Sequence, residues 1–187
     1  MARADVPEAL DEWNARCQAL MAGHLGLDFS ETGTERVRAR FEIRNALKAW
    51  NGFLNARAVV TLAETCCGHG TVVSLPDGAD GFTPRGSVHQ FCRHGAGGRR
   101  VACTAHPTHH GRSTQIWDPV VSAEATGRKM AYFRCTQIIP WPRWPGTRRR
   151  ARRLRSIAPV PACGQWRRVR PLAQGARIGA EFRRRRG

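Results

Sequence analysis

Apolar residues recur at Leu10, Trp13, Cys17, Leu20 and Met21, behind Pro7 and the acids Glu8, Asp11 and Glu12. That spacing predicts one amphipathic helix over residues 6–25, with its acids at the favourable end. After Gly26, residues 27–31 look extended, and Val37, Ala39, Phe41 and Ile43 alternate with charged residues through 36–44, the pattern of a half-buried strand. A long run of small apolar residues then predicts a helix from about 55 to 74, closed by Pro76-Asp77-Gly78. Residues 101–108, 113–123 and 129–139 read as three further strands, with Gly111 and Gly127 supplying the turns. Pro119 favours an edge or a bulge for the middle one, because it cannot donate to a ladder. The order predicts an α+β domain with one antiparallel sheet around a helix.

Two stretches lack this periodicity. Residues 84–100 hold four glycines and no acid, and do not alternate, although the sheet needs a strand there. Residues 144–187 carry arginine runs and little pattern, and are expected to be disordered.

The long helix contains the most informative residue. Between Asn51 and Pro76, Glu64 is the only acid and Arg57 the only base. A helix apolar nearly all round is expected to be buried, and a buried carboxylate must be paired or used. Glu64 is therefore a candidate catalytic group, with an ion pair to Arg57 as the structural alternative.

Charge redraws the picture only at one end. The formal charge is +17 over 187 residues, but 144–187 account for fourteen Arg against one Glu, leaving +4 for residues 1–143. The basic signal belongs to the tail, and the body is an ordinary globular sequence long enough for one core. Seven cysteines (Cys17, Cys66, Cys67, Cys92, Cys103, Cys135 and Cys163) form an odd set without a small secreted framework, which reads as reduced cytoplasmic thiols. No run is apolar and long enough for a membrane span, and no signal pattern opens the chain.

Several blocks in order, Asn51-Gly52-Phe53-Leu54, the helix AVVTLAETCCGHGTVVSLPDG, Gly81-Phe82-Thr83, Gly111-Arg112-Ser113-Thr114-Gln115-Ile116-Trp117-Asp118 and Phe133-Arg134-Cys135-Thr136-Gln137, resemble the hotdog-fold acyl-CoA thioesterases of the phenylacetic-acid-degradation (PaaI) type. The resemblance implies a long helix wrapped by an antiparallel sheet over residues 6–143. It also implies a homodimer or homotetramer that pairs its sheets, and acyl-CoA bound between subunits without a cofactor or metal. By position, Glu64 would be the base or nucleophile toward the thioester. The N–H groups of Ala56 and Arg57, behind Asn55, would hold the oxyanion while Glu64 on the same helix deprotonates water. Thr83 would help hold that water, and Asn51, Gly52, Arg112 and Ser113 are the candidate substrate contacts.

Asn55-Ala56-Arg57 stands where the family has His followed by small residues. Arg57 either crowds the donors or faces out toward a CoA phosphate. Family-like sequence stops sharply at Thr83 and returns near Val101, which suggests a compensated reading-frame shift over 84–100, with another near Arg143. Translation of the other frames of the gene tests this hypothesis, and finding no strand-like segment there would sink it. The competing readings are an inactive or binding-only hotdog protein and polyanion binding through the tail. A zinc site among His89, Cys92, His94, Cys103, His106, His109 and His110 lacks paired ligand spacing and is set aside.

Overall fold

The alternation of residues 36–44 becomes a strand, Val37–Glu42, that buries Val37, Ala39 and Phe41 and exposes Arg38 and Glu42. In this computed structural model, residues 6–7, 9–93 and 100–142 are described. Helices α1 (Leu10–Cys17) and α2 (Met21–Leu25) precede strands β1 (Asp28–Thr32) and β2 (Val37–Glu42). Helix α3 (Ala56–Val73) follows, and then β3 (Thr83–Phe91), β4 (Arg100–His110), β5 (Thr114–Ala123) and β6 (Lys129–Ile138). The six strands form one antiparallel sheet in the order β1-β2-β4-β5-β6-β3, with α3 across one face. None of the described helices is long and apolar enough to cross a membrane. The basic tail and residues 94–99 lie outside the described residues.

The single N-terminal helix expected over 6–25 is two. Leu20 adopts extended angles (φ −108, ψ 178), and α2 then folds back so closely that a Cβ on Gly23 would stand 2.2 Å from the Gln18 carbonyl oxygen. The break also changes the buried face: Trp13 and Cys17 stay inside, Leu20 and Met21 are exposed, and Ala22 and Leu25 take their place.

Residues 84–91, which do not alternate, form a strand nonetheless. β3 pairs with β6 from Thr83 opposite Ile138 to Phe91 opposite Ala131, with an irregularity between Pro84 and Gly86. It lies at the end of the sheet and most of its residues are exposed, so ladder bonds hold it without an alternating apolar face. Pro119 is corrected: β5 lies between β4 and β6, so its strand is internal. Beside Pro119, Asp118 faces Arg134 across the β5–β6 ladder in a two-pronged ion pair. Those bonds to Arg134 hold the Asp118 carboxyl below its ordinary range.

Helix α3 presses Ala58, Val59, Leu62, Ala63, Cys66, Cys67 and Gly70 into the core. Small residues are needed here, since a Cβ on Gly70 would come within 2.5 Å of the fully buried Trp117 indole. That indole donates to Gln115 Oε1 at 3.3 Å, and the Gln115 amide donates to the Ser74 carbonyl at 3.0 Å, tying the sheet to the end of the helix.

On the other flank of α3, the His69 ring sits between Trp13 and Phe29, with centroids 4.6 and 4.2 Å away. Its Nδ1 meets the Thr65 carbonyl at 2.8 Å, so Nδ1 carries the proton and Nε2 faces the Cys17 thiol at 3.5 Å. Burial lowers the His69 pKa and raises that of Cys17, so both are neutral in the fold.

The unfolded chain takes up a proton near the ordinary histidine value of about 6.5, and the folded chain resists it until lower pH. The His69 contribution is thus complete above about pH 7 and declines as pH falls, with a slope of up to about 1.4 kcal/mol per pH unit. Melting temperatures between pH 7.5 and 5.5 are expected to fall, and His69→Phe is expected to flatten that dependence. An equal slope in both proteins would refute it.

Candidate active site

The segment before α3 is a small hairpin. Ala49 N–H donates to the Phe53 carbonyl and Asn55 N–H to the Leu47 carbonyl, while Gly52 takes φ 83 at the tip, where a side chain would be strained. Asn51 Oδ1 accepts from Phe53 N–H at 3.3 Å. Asn51 and Gly52 therefore build the turn.

Asn55 caps the helix, and its Oδ1 accepts from the Arg57 N–H at 2.9 Å. This alters the expected donor pair. The Arg57 N–H is already taken, while the Ala56 N–H has no protein acceptor among the described residues. Ala56 also lines an apolar cavity of about 310 Å³ with Leu54, Val59, Phe91, Cys92, Arg93 and Met130. An unpaired donor at a helix N-terminus beside an apolar hollow suits a polarised carbonyl with a hydrocarbon substituent.

Glu64 is exposed in the single chain, against the expectation that the helix buries it. Glu64 lies on the flank of α3 turned away from the core, near the half-buried Val60 and Thr61. It has no ion pair among the described residues, so the Arg57 alternative is not realised. Its Oε1 accepts from the Ser87 hydroxyl of β3 at 2.7 Å. One oxygen is thereby oriented, and the other is left to take a proton.

Eight residues separate Ala56 from Glu64, which is about 12 Å along a helix axis. A carbonyl on one and a water on the other cannot meet, since each contact spans only about 3 Å. The expectation that one helix supplies both donor and base to one thioester is corrected on this ground.

The remaining candidates are dispersed. Thr83 begins β3, four residues from Ser87 and exposed. Arg112 and Ser113 lie in the β4–β5 turn: the Arg112 guanidinium covers the Trp141 ring at 4.3 Å, and the Ser113 carbonyl accepts from Ile139 N–H. The neighbouring Gln115 reaches the Ser74 carbonyl at the opposite end of α3 from Asn51 and Gly52. Among the described residues, no group of three or more His, Cys, Asp or Glu is placed to hold a metal. Cys103 is buried in the core, whereas His106, His109 and His110 are exposed.

No family model matches the sequence. Solved structures do. A thioesterase from Haemophilus influenzae aligns at TM-score 0.66 with 22% identity, over 71% of this chain and 91% of its own. A mutant thioesterase from Pseudomonas aeruginosa aligns at TM-score 0.66 with 23% identity, over 71% and 94%. The chain has the hotdog fold. The Escherichia coli PaaI protein of the phenylacetic acid degradation operon shares it at TM-score 0.58 and 18% identity, over 69% and 92%.

Strand pairing brings in the residues that no local pattern marks. Ser87 sits in the stretch that alternation could not assign, 23 residues from the carboxylate it touches. Only the pairing of β3 with β6 brings it there. Phe91 and Arg93 belong to the cavity through the same strand, and no local signal marks them.

Proposed function

We propose that the protein hydrolyses an acyl-CoA thioester. The observation that carries this reading is Glu64, a lone exposed carboxylate on a small-residue helix with one oxygen held by Ser87. The acyl group enters the cavity beside Ala56, and the thioester oxygen accepts from the Ala56 N–H. Glu64 removes a proton from water as it attacks the carbonyl carbon, the C–S bond breaks and that proton passes to the departing thiolate. Should Glu64 attack the carbon itself, the C–S bond breaks to leave a mixed anhydride on Glu64, which water then cleaves to free the acid, its protons going to the thiolate and the solvent.

The 12 Å gap is closed by a second copy. With two α3 helices antiparallel about a twofold axis, Glu64 of one meets Ala56 of the other, and each pair of chains holds two sites. The outer edge of β3 has no partner strand among the described residues, and pairing it with the same edge of a second copy supports this arrangement.

A thiol-release assay over a panel of acyl-CoA esters tests the reading, and release of CoA from none of them would sink it. Ser87→Ala is expected to lower kcat by roughly tenfold, about 1.4 kcal/mol, with KM little changed, because it loosens the base without touching the acyl group. A rise in KM with constant kcat would instead make Ser87 a substrate contact.

A further inference from the structure

The cavity beside Ala56 has walls of Leu54, Val59, Phe91 and Met130, and a single charged residue among those that line it, Arg93. Its volume of about 310 Å³ is near the lower end for ligand sites and equals roughly ten water volumes. That is room for an acyl chain of modest length. Arg93 is exposed, with its backbone held in place because Cys92 N–H and Arg93 N–H both donate to the Met130 carbonyl, at 2.7 and 3.2 Å. Among the described residues no carboxylate lies within ion-pair distance of its guanidinium.

An apolar hollow with one unmatched cation favours a ligand that is apolar along its length and anionic at its end. A plain hydrocarbon chain leaves the exposed guanidinium to water, whereas a terminal carboxylate accepts two of its N–H bonds in a fork.

We propose that this cavity selects acyl groups ending in a carboxylate, the CoA monothioesters of short dicarboxylic acids, with Arg93 as the residue that sets the preference. The assignment rests on the thioesterase reading of the same site. A charge-assisted bond of this kind corresponds to a discrimination of about ten- to a hundredfold.

The test compares kcat/KM for the CoA monothioester of a six-carbon dicarboxylic acid with that for hexanoyl-CoA. Wild type is expected to favour the diacid at least about tenfold. Arg93→Met is expected to abolish that preference by lowering kcat/KM for the diacid ester at least about tenfold more than for hexanoyl-CoA, and Arg93→Lys to restore part of it. No preference in wild type would overturn the proposal. So would an equal loss on both substrates, which would assign Arg93 to the CoA portion or to the fold.

Calorimetric binding of the free six-carbon dicarboxylate separates this failure from that of the hydrolase reading. Binding to wild type and not to Arg93→Met supports the cavity assignment even if no ester is hydrolysed. Hydrolysis of both esters without preference and without dicarboxylate binding overturns the cavity assignment and leaves the thioesterase reading standing.

Discussion

Ala56→Pro is expected to cut thioester hydrolysis by about a hundred- to a thousandfold while leaving the fold intact. Ala56 is the first residue of α3, the one helical position where proline is readily accepted, because the N–H it lacks has no intrahelical partner. Asn55 already sits at φ −63 and ψ 130, the extended region that a residue before proline prefers. The substitution thus deletes a single donor. Glu64→Gln removes the base and is expected to cost about a hundred- to ten-thousandfold on its own.

The two variants together decide the arrangement. If donor and base come from different copies, co-expressed Ala56→Pro and Glu64→Gln chains form mixed dimers with one intact site of two. Hydrolysis by the purified mixed dimer then recovers to about half of wild type. If each site lies within one chain, every site in the mixture carries a defect and activity stays at the level of the single variants. Recovery measured after purification of tagged mixed dimers distinguishes the two outcomes.

Gly70→Ala is expected to lower the melting temperature by a few degrees, roughly 2–6 °C. Two effects oppose each other. Alanine in a helix interior gains about 1 kcal/mol over glycine. Here, however, the new Cβ would overlap three atoms of the Trp117 ring at 2.5, 2.6 and 2.7 Å, and that ring is fully buried and bonded to Gln115. Overpacking of this kind costs about 1–3 kcal/mol or more, so the clash wins. Trp117→Phe in the same chain should recover part of the loss, and thermal melts of the two single variants and the double variant measure that coupling. Additive losses would show that Gly70 matters for another reason.

Helix α3 was readable from sequence because its signals are local: Asn55 caps it, small residues fill it, and Pro76-Asp77-Gly78 ends it. The strands β2, β4, β5 and β6 were readable because one face of each is buried against that helix. What was not readable depends on distant contacts. The break at Leu20 follows from the approach of Gly23 to Gln18, which the apolar spacing does not encode. β3 holds its place through backbone bonds to β6, which require no particular side-chain pattern. The composition of α3 identified Glu64 as exceptional but not as exposed, since an apolar helix does not declare which of its sides the sheet will cover. Ser87 and Arg93 entered the site only with β3.

The buried thiols carry a practical consequence. Of the six cysteines in the described residues, Cys17, Cys66, Cys67, Cys103 and Cys135 are shut inside, and only Cys92 faces solvent. Burial holds the thiols of Cys67 and Cys103 well above their ordinary pKa, so they are unreactive as well as inaccessible. The interior is thus a clock for opening: Cys66, Cys67, Cys103 and Cys135 become visible to an alkylating reagent only when the hotdog helix lifts from its sheet, and the rate of labelling counts those excursions.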